Sequence, residues 1–422
     1  QYDSGTMATT TGEATTADRD FGNWRNQEVA GLHNVLAMVT TGHGGVNIDV
    51  SLDRGGSFAI TEELSAPGLD WGQRLCNIDI SDDYTIGVIY WRTTGSTYEN
   101  LMTELVLVEG TPTGFDGNNT PTGYAFGSPV VVHTPDSRDA IPLLMQLEYS
   151  SAGDLVIGYG YNEIAPVMGM PFTQTEASFR CAVRPVGGEF NDVLIDSETG
   201  TIPNDPSVAL RGSGSTMEVF FAYERSDGVH LAYSNNGGAN FVQVAQVGEP
   251  GAFQPSVHVR DQAGQVRVDV LFLNPTIDGL ELHNMRWDSF DPSGAGVIHE
   301  ALTQATKETI DDNTGQNTFM PFAKTVKIKD VAWFGFDAVT DGDDVVMVVH
   351  EQERTSFDFM NIGGRPVPGF PVFFGGGIFA DAAGGSAGAS SAPPQALLPG
   401  LTTPAGAPDA AHRNQLRLVK LD

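Results

Sequence analysis

The sequence predicts an all-β protein made of a repeated unit, and three observations predict it. One stretch occurs twice. GVNIDVSLDRGGSF (45–58) and GVHLAYSNNGGANF (228–241) align without a gap at a constant shift of 183 positions. Short apolar runs separated by Gly, Pro, Asn and Asp fill the chain from residue 33 to 375, and no long segment has the helical period. Two further runs share a register: NDPSVAL (204–210) and FQPSVHV (253–259) both carry Pro-Ser-Val. Each is followed by a strand-like run, VFFAY (219–223) or VLFL (270–273), and each then reaches Asp-Gly, at 227–228 and 278–279. The two Asp-Gly pairs lie 51 residues apart, near the period of about 40–50 residues of the larger β-repeats.

The twice-used stretch reads as a hairpin. Val46, Ile48 and Val50 alternate with Asn47, Asp49 and Ser51, which is the period of a strand. Gly55 and Gly56 accept positive φ without steric cost, so the chain reverses there. The short carboxylate of Asp53 accepts hydrogen bonds from the amides of its own turn, and Phe58 returns to an apolar face. In the second copy Asn236 stands where the first has Asp53.

These residues resemble the Asp-box, S-x-D-x-G-x-x-[WF], of the sialidase-like and BNR-repeat β-propellers. Ser51, Asp53, Gly55 and Phe58 fill the pattern, and Ser234, Asn236, Gly238 and Phe241 fill it with Asn in place of Asp. The resemblance covers these boxes and not the rest of the chain. It implies a β-propeller of four-stranded antiparallel blades, in which the box is a structural hairpin away from the substrate. It implies no activity.

Repeat units can be drawn at 34–64, 73–110, 141–196, 204–247, 253–298 and 320–375, giving six blades, with seven as the alternative. The propeller spans 29–377, preceded by a polar arm at 1–28. A Gly/Ala/Ser/Pro-rich tract follows at 378–411, too poor in large apolar side chains to fill a core and expected to order only against a partner or its own propeller. The terminal run, 412–422, reads as a strand that joins the N-terminal blade and closes the ring. EALTQATKETI (300–310) reads as a short connecting helix.

Composition narrows the partners. The net charge is −31, and only five of the 22 basic residues are Lys. Such a surface repels nucleic-acid phosphates and anionic membranes. High-salt or solubility adaptation explains the charge without a partner; binding of cations or a basic protein is the sharper reading. No run of about 18 apolar residues is present to cross a membrane as a helix. The polar start at Gln1 reads as a mature exported chain, which places the protein outside the cell or on its surface. Cys76 and Cys181 are the two cysteines, either one disulfide or two buried thiols.

In a propeller, equivalent strand ends gather on one face around a central channel. Aligning the ends of the second strands brings IYWR (89–92), GYGYNE (158–163), AYERSDG (222–228), FLNPTIDG (272–279) and VHEQER (349–354) to one rim. The candidate ligand-binding residues are therefore Tyr90, Trp91, Arg92, Tyr159, Tyr161, Glu163, Tyr223, Glu224, Arg225, His350, Glu351 and Arg354, with Asn274 beside them and TTGHGG (40–45) from the first blade. Aromatic faces with Arg and carboxylates suit a sugar, whose CH faces stack and whose hydroxyls need paired donors and acceptors. Tyr followed by a charge is also ordinary where a strand emerges into solvent.

A sialidase needs three Arg gripping a carboxylate, a Tyr–Glu pair and an Asp acid. NWRNQEV around Arg25 departs from the family's N-terminal Arg motif, and nothing in their spacing selects Arg92, Arg180, Arg225 or Arg286 as a triad. Tyr223 and Glu224 are neighbours on a strand and point to opposite faces. Glu163, Glu224 and Glu351 are eligible as glycosidase carboxylates. Tyr159 or Tyr223 with His133 or His350 would serve a polysaccharide lyase. The nine His show no pair at metal-ligand spacing, so no cofactor is expected; the acidic turns DISDD (79–83), DDNTGQN (311–317) and DAVTDGDD (337–344) suit Ca²⁺ or, more simply, solvent.

The sequence thus favours an exported, non-catalytic propeller that binds a glycan or a protein partner, as one subunit of a surface or particle assembly. The alternative is a carbohydrate-active enzyme, a sialidase-like glycoside hydrolase or a polysaccharide lyase, with its site on the rim.

Overall fold

The computed structural model describes residues 27–42, 45–65, 75–94, 102–135, 140–165, 173–199, 206–262, 264–311, 323–341, 344–359 and 414–421. The polar arm before residue 27, the low-complexity tract 378–411, Arg25 and His43 lie outside them.

The chain is a β-propeller. The described residues hold six antiparallel sheets in chain order. Sheet A comprises β1 (Gln27–Leu32), β2 (Val35–Gly42), β3 (Gly45–Ser51) and β4 (Ile60–Ser65). Sheet B comprises β5 (Cys76–Ile80), β6 (Ile86–Thr94), β7 (Met102–Phe115) and β8 (Pro121–Phe126), with a fifth strand, β9 (Val130–His133), on β7. Sheet C comprises β10 (Ala140–Tyr149), β11 (Leu155–Ala165), β12 (Thr173–Arg184) and β13 (Asn191–Glu198). Sheet D comprises β14 (Ser207–Arg211), β15 (Glu218–Arg225), β16 (Gly228–Ser234) and β17 (Val242–Gln246). Sheet E comprises β18 (Phe253–Gln262), β19 (Gln265–Pro275), β20 (Leu280–Trp287) and β21 (Ile298–Ala301). Sheet F comprises β22 (Thr306–Asp311), β23 (Ala323–Asp341), β24 (Asp344–Phe359) and β25 (Asn414–Leu421).

Within each sheet spatial order follows chain order, apart from β9. The first strands β1, β5, β10, β14 and β18 lie side by side, so they form the inner edge of the sheets. Five apolar clusters separate consecutive sheets, from A/B to E/F. A strand in the middle of such a stack is buried on both faces. In β15, Val219, Phe221 and Tyr223 face sheet C, while Phe220 and Ala222 face sheet E. This explains why VFFAY and VLFL read as unbroken apolar runs rather than alternating ones.

Three expectations are corrected. The predicted helix at 300–310 is strand: β21 completes sheet E through Ile298–Ala301, and β22 opens sheet F, with Thr and Ile at its β-favouring positions. The C-terminal strand forms, but it pairs with β24 of the last sheet, Val345 opposite Leu421 to Gln352 opposite Asn414. Sheet A is already complete with its own four strands, so the first sheet offers β25 no place. The polar arm ends earlier than expected, because Gln27 and Glu28 pair with Thr40 and Val39.

Cys76 is buried in the A/B cluster and Cys181 in the C/D cluster, so both are free thiols. Among the described residues no helix is long and apolar enough to cross a membrane.

Candidate functional site

The predicted rim does not exist as one surface. Tyr90, Trp91, Tyr159 and Tyr223 are each 0% exposed and Tyr161 is 6% exposed. Their rings pack between sheets, and their polar atoms are spent there. Tyr90 donates to Leu64 O (3.3 Å) and Trp91 Nε1 to Leu143 O (3.1 Å). Arg92 is held by Glu104 (2.8 Å). Glu163 and Glu224 are half-buried, and Glu224 points away from Tyr223, as alternation requires. His350, Glu351 and Arg354 lie on β24 in sheet F, with Arg354 on Asp330 (2.8 Å) and Lys329 4.0 Å from Glu351. Asn274 is buried in sheet E. The candidates therefore divide among sheets B, C, D and F, with Arg92 and Arg354 paired within their own sheets and the aromatics packed at separate interfaces between sheets.

Two of those interfaces carry polar constellations. At the B/C interface Asp192 accepts from Tyr159 (2.8 Å) and from Arg180 through two nitrogens, while His133 Nδ1 lies 3.0 Å away. Tyr161 stacks on His133 at 5.4 Å. This unites Tyr159 with His133, as one lyase pairing required, but both tyrosines are closed off. Burial and the Asp192 charge push the Tyr159 hydroxyl well above its ordinary value, which keeps it protonated and unavailable as a base. At the C/D interface Asp196 accepts from Tyr223 (2.8 Å) and pairs with Arg225, and Gln243 Oε1 lies 2.8 Å from the same hydroxyl. Tyr223 sits beside His230 (5.7 Å), not His350. One strand, β13, supplies both aspartates. A bulge between Phe179 and Arg180 shifts the pairing by one residue, so Asp192 faces sheet B and Asp196 faces sheet D.

The arginines do not converge among the described residues. Arg92, Arg180, Arg225 and Arg286 pair respectively with Glu104, Asp192, Asp196 and Asp288. Each guanidinium is thus committed to its own carboxylate, and no sialidase clamp is assembled here.

The residues that sequence reasoning missed lie on the inner strands. Asn77 Oδ1 accepts from Leu147 N (2.9 Å) and Asp79 Oδ2 from Tyr149 N (2.9 Å), bridging β5 to β10. Gln146 Oε1 accepts from Val208 N (2.9 Å) and Ser207 Oγ from Val257 N (3.0 Å), bridging β10 to β14 and β14 to β18. Each inner strand has an edge of unpaired amides, and side chains of the preceding sheet satisfy them. Asp79 and Glu148 stand out in this layer. Burial pushes the Asp79 carboxyl up to about 6, against hydrogen bonds from Tyr149 and Ile80 that favour its charge. Burial and the neighbouring Asp79 charge push Glu148 well above the usual carboxylate range, against a backbone hydrogen bond from Leu210. Gln146 Nε2 also reaches Glu148 Oε1 (3.4 Å). The two carboxyls are neighbours, because Asp79 holds the amide of the residue that follows Glu148. The signal was the alternation C-N-I-D-I (76–80) and M-Q-L-E-Y (145–149), polar at every second place.

The acidic turns are structural where described. Asp83 accepts from Ser81 Oγ and from Thr85 N (3.1 Å), closing the turn after β5. Residues 312–317 and 342–343 of the other two turns lie outside the described residues. Among the described residues no group of three or more His, Cys, Asp or Glu is gathered to hold a metal.

No family model matches the chain, and no curated protein matches it. Solved structures do match. One is a protein of unknown function from Dyadobacter fermentans, 11% identical at TM-score 0.40, covering 72% of this chain and 90% of that one. A thermostable family-43 glycoside hydrolase is 10% identical at TM-score 0.34, covering 68% and 96%. A xylan β-1,4-xylosidase from Bacillus halodurans is 11% identical at TM-score 0.28, covering 80% and 88%. Two of these three are glycosidases, and at such scores none assigns an activity to this chain.

Proposed function

We propose that the protein is a carbohydrate-active enzyme that cleaves glycosidic bonds with the carboxyl pair Asp79 and Glu148. The observation that carries this reading is their placement: two partly buried carboxyls on adjacent inner strands, neither neutralised by an arginine, beside the axis of the propeller. Glycoside hydrolysis needs one carboxyl that holds a proton near neutral pH and one that is ionised. The pair meets that need through mutual repulsion, which keeps one proton shared between them. Glu148, whose carboxyl is raised by burial and by the Asp79 charge, is the acid. Asp79, which holds two backbone amides, is the carboxylate.

The test is release of reducing sugar from a panel of polysaccharides by the wild-type chain, by Glu148→Gln and by Asp79→Asn. Each variant is expected to lose at least about 100-fold in rate, the scale of acid–base catalysis. Neither should lose stability at pH 7. The sign follows from the raised carboxyls: the folded state binds protons more tightly than the unfolded one, so stability falls as pH rises from about 4 to about 6. The amides remove that penalty, and their unfolding midpoints at pH 7 should equal or exceed wild type. No product from any polysaccharide overturns the reading.

A second reading has its own support. With every rim arginine tied to a carboxylate, a glycan- or protein-binding module without catalysis fits the B/C and C/D interfaces. Retention of a polysaccharide without turnover would favour it.

A further inference from the structure

Two histidines that lie far apart in sequence meet on sheet E. His283 of β20 stands opposite Ala301, and His299 of β21 stands opposite Met285, so the two imidazoles are diagonal neighbours on one face. His283 Nδ1 lies 2.8 Å from His299 Nε2. On its other side, His283 Nε2 lies 3.2 Å from Glu281 Oε2. Glu281 is itself fixed, because its Oε1 accepts from Ala305 N (3.0 Å). Phe272, fully buried, backs both rings at 5.7 and 6.1 Å.

We propose that His283 and His299 form a binding site for a divalent transition-metal ion of the Zn²⁺ or Cu²⁺ class. Glu281 fixes the chemistry of the first imidazole. Accepting the Nε2 proton leaves Nδ1 with its lone pair directed at His299, the outer-shell carboxylate arrangement that orients metal-bound histidines. Imidazole nitrogen suits Zn²⁺ and Cu²⁺ better than the oxygen-seeking Ca²⁺ and Mg²⁺. With metal–nitrogen bonds of about 2.0–2.1 Å in a tetrahedral shell, two ligand nitrogens sit about 3.3 Å apart. The pair therefore needs to open by about half an ångström, and the ion then replaces the shared proton. His299 is exposed, which leaves its side open to water ligands. Two protein nitrogens with water completing the shell make an open site, distinct from a closed structural one of four side chains.

The test uses the full chain, stripped with a chelator, titrated with ZnSO₄ by calorimetry and with Cu²⁺ by electron paramagnetic resonance. The expected result is one ion per chain, with the hyperfine pattern of two nitrogens in the Cu²⁺ spectrum. His299→Ala, at an exposed position, should weaken binding at least about tenfold while leaving the unfolding midpoint of the stripped protein in place. Glu281→Gln should weaken it about 10–100-fold, the usual effect of removing an outer-shell partner. Stoichiometric binding that is unchanged in His299→Ala overturns the site, as does a spectrum lacking two nitrogens or an absence of binding at millimolar metal.

Discussion

The two copies of the repeated hairpin carry the same hydrogen bonds with different chemistry. Ser51 Oγ donates to Asp53 Oδ1 (2.7 Å) and accepts from Asp53 N (3.3 Å) and Gly55 N (2.8 Å). Ser234 Oγ donates to Asn236 Oδ1 (2.8 Å) and accepts from Asn236 N (3.4 Å) and Gly238 N (3.1 Å). The side-chain oxygen at the third place caps the turn in both: Ser57 N to Asp53 Oδ1 (2.7 Å), Asn240 N to Asn236 Oδ1 (3.1 Å). Even the contact to the preceding turn recurs, Arg54 N on Asn34 O (2.9 Å) and Gly237 N on Met217 O (3.0 Å). The serine hydroxyl and one carbonyl-type oxygen are thus the constants of the turn. Charge is not. Nor is glycine at the left-handed position, for Arg54 holds φ 61° in the open first copy, where Gly237 holds 67° in the crowded second. A Cβ on Gly237 would lie 2.8 Å from Gly214 O, so only glycine fits there. The left-handed pair is accordingly Arg54 and Gly55, not the Gly55 and Gly56 that the sequence suggested.

The largest difference between the copies should come from their shared glycine. Gly238→Ala drives a Cβ into buried Val183 at a positive φ, and it is expected to cost about 2–5 kcal/mol. Gly55→Ala meets only the flexible end of Leu36 at 3.3 Å and should cost about 1–2 kcal/mol. Chemical denaturation of the two variants compares them directly, and equal losses would break the contrast. Next in size, Ser51→Ala and Ser234→Ala should each cost about 1–3 kcal/mol, since both buried hydroxyls leave two amides unpaired. The smallest effect is the charge itself. Hydrogen bonds from Ser51 and then Ser57 hold the Asp53 carboxyl below its ordinary value. Its contribution is present above the unfolded value near 3.9 and is lost as pH falls through the lower folded value. Asp53→Asn should therefore lower the unfolding midpoint slightly at pH 7, by an amount that shrinks as the medium is acidified below about 3.9. Asn236→Asp should import that acid dependence into the second copy.

The fold was legible because its unit repeats. The hairpin pair and the Pro-Ser-Val register marked real equivalents: Ser207 opens the ladder of β14, and Ser256 opens the continuous ladder of β18 after the shift that follows Phe253. The unit boundaries drawn from the sequence fall close to sheets C, D and E; the unit at 34–64 omits β1, that at 73–110 stops inside β7 and omits β8 and β9, and that at 320–375 holds β23 and β24 but neither β22 nor β25 of sheet F. The candidate site was much less legible. A propeller strand is covered on both faces, so a Tyr or Trp at its end packs between sheets as readily as it lines a channel, and Tyr90, Trp91, Tyr159 and Tyr223 took the first course. Inner-strand polar residues look like ordinary half-exposed positions until the neighbouring edge is placed against them. Asp79 and Glu148 were of this kind. His283 and His299 meet only because β21 closes sheet E, a strand whose last two residues the sequence placed in a helix.

The bridges between inner strands all run one way. Asn77, Asp79, Gln146 and Ser207 accept, and the amides of Leu147, Tyr149, Val208 and Val257 on the following sheet donate. On a ribosome the acceptor row of each sheet is therefore made before the amides that will dock on it. A sheet leaving the exit tunnel meets a finished template, and the molecule is suited to being laid down in the order in which it is translated.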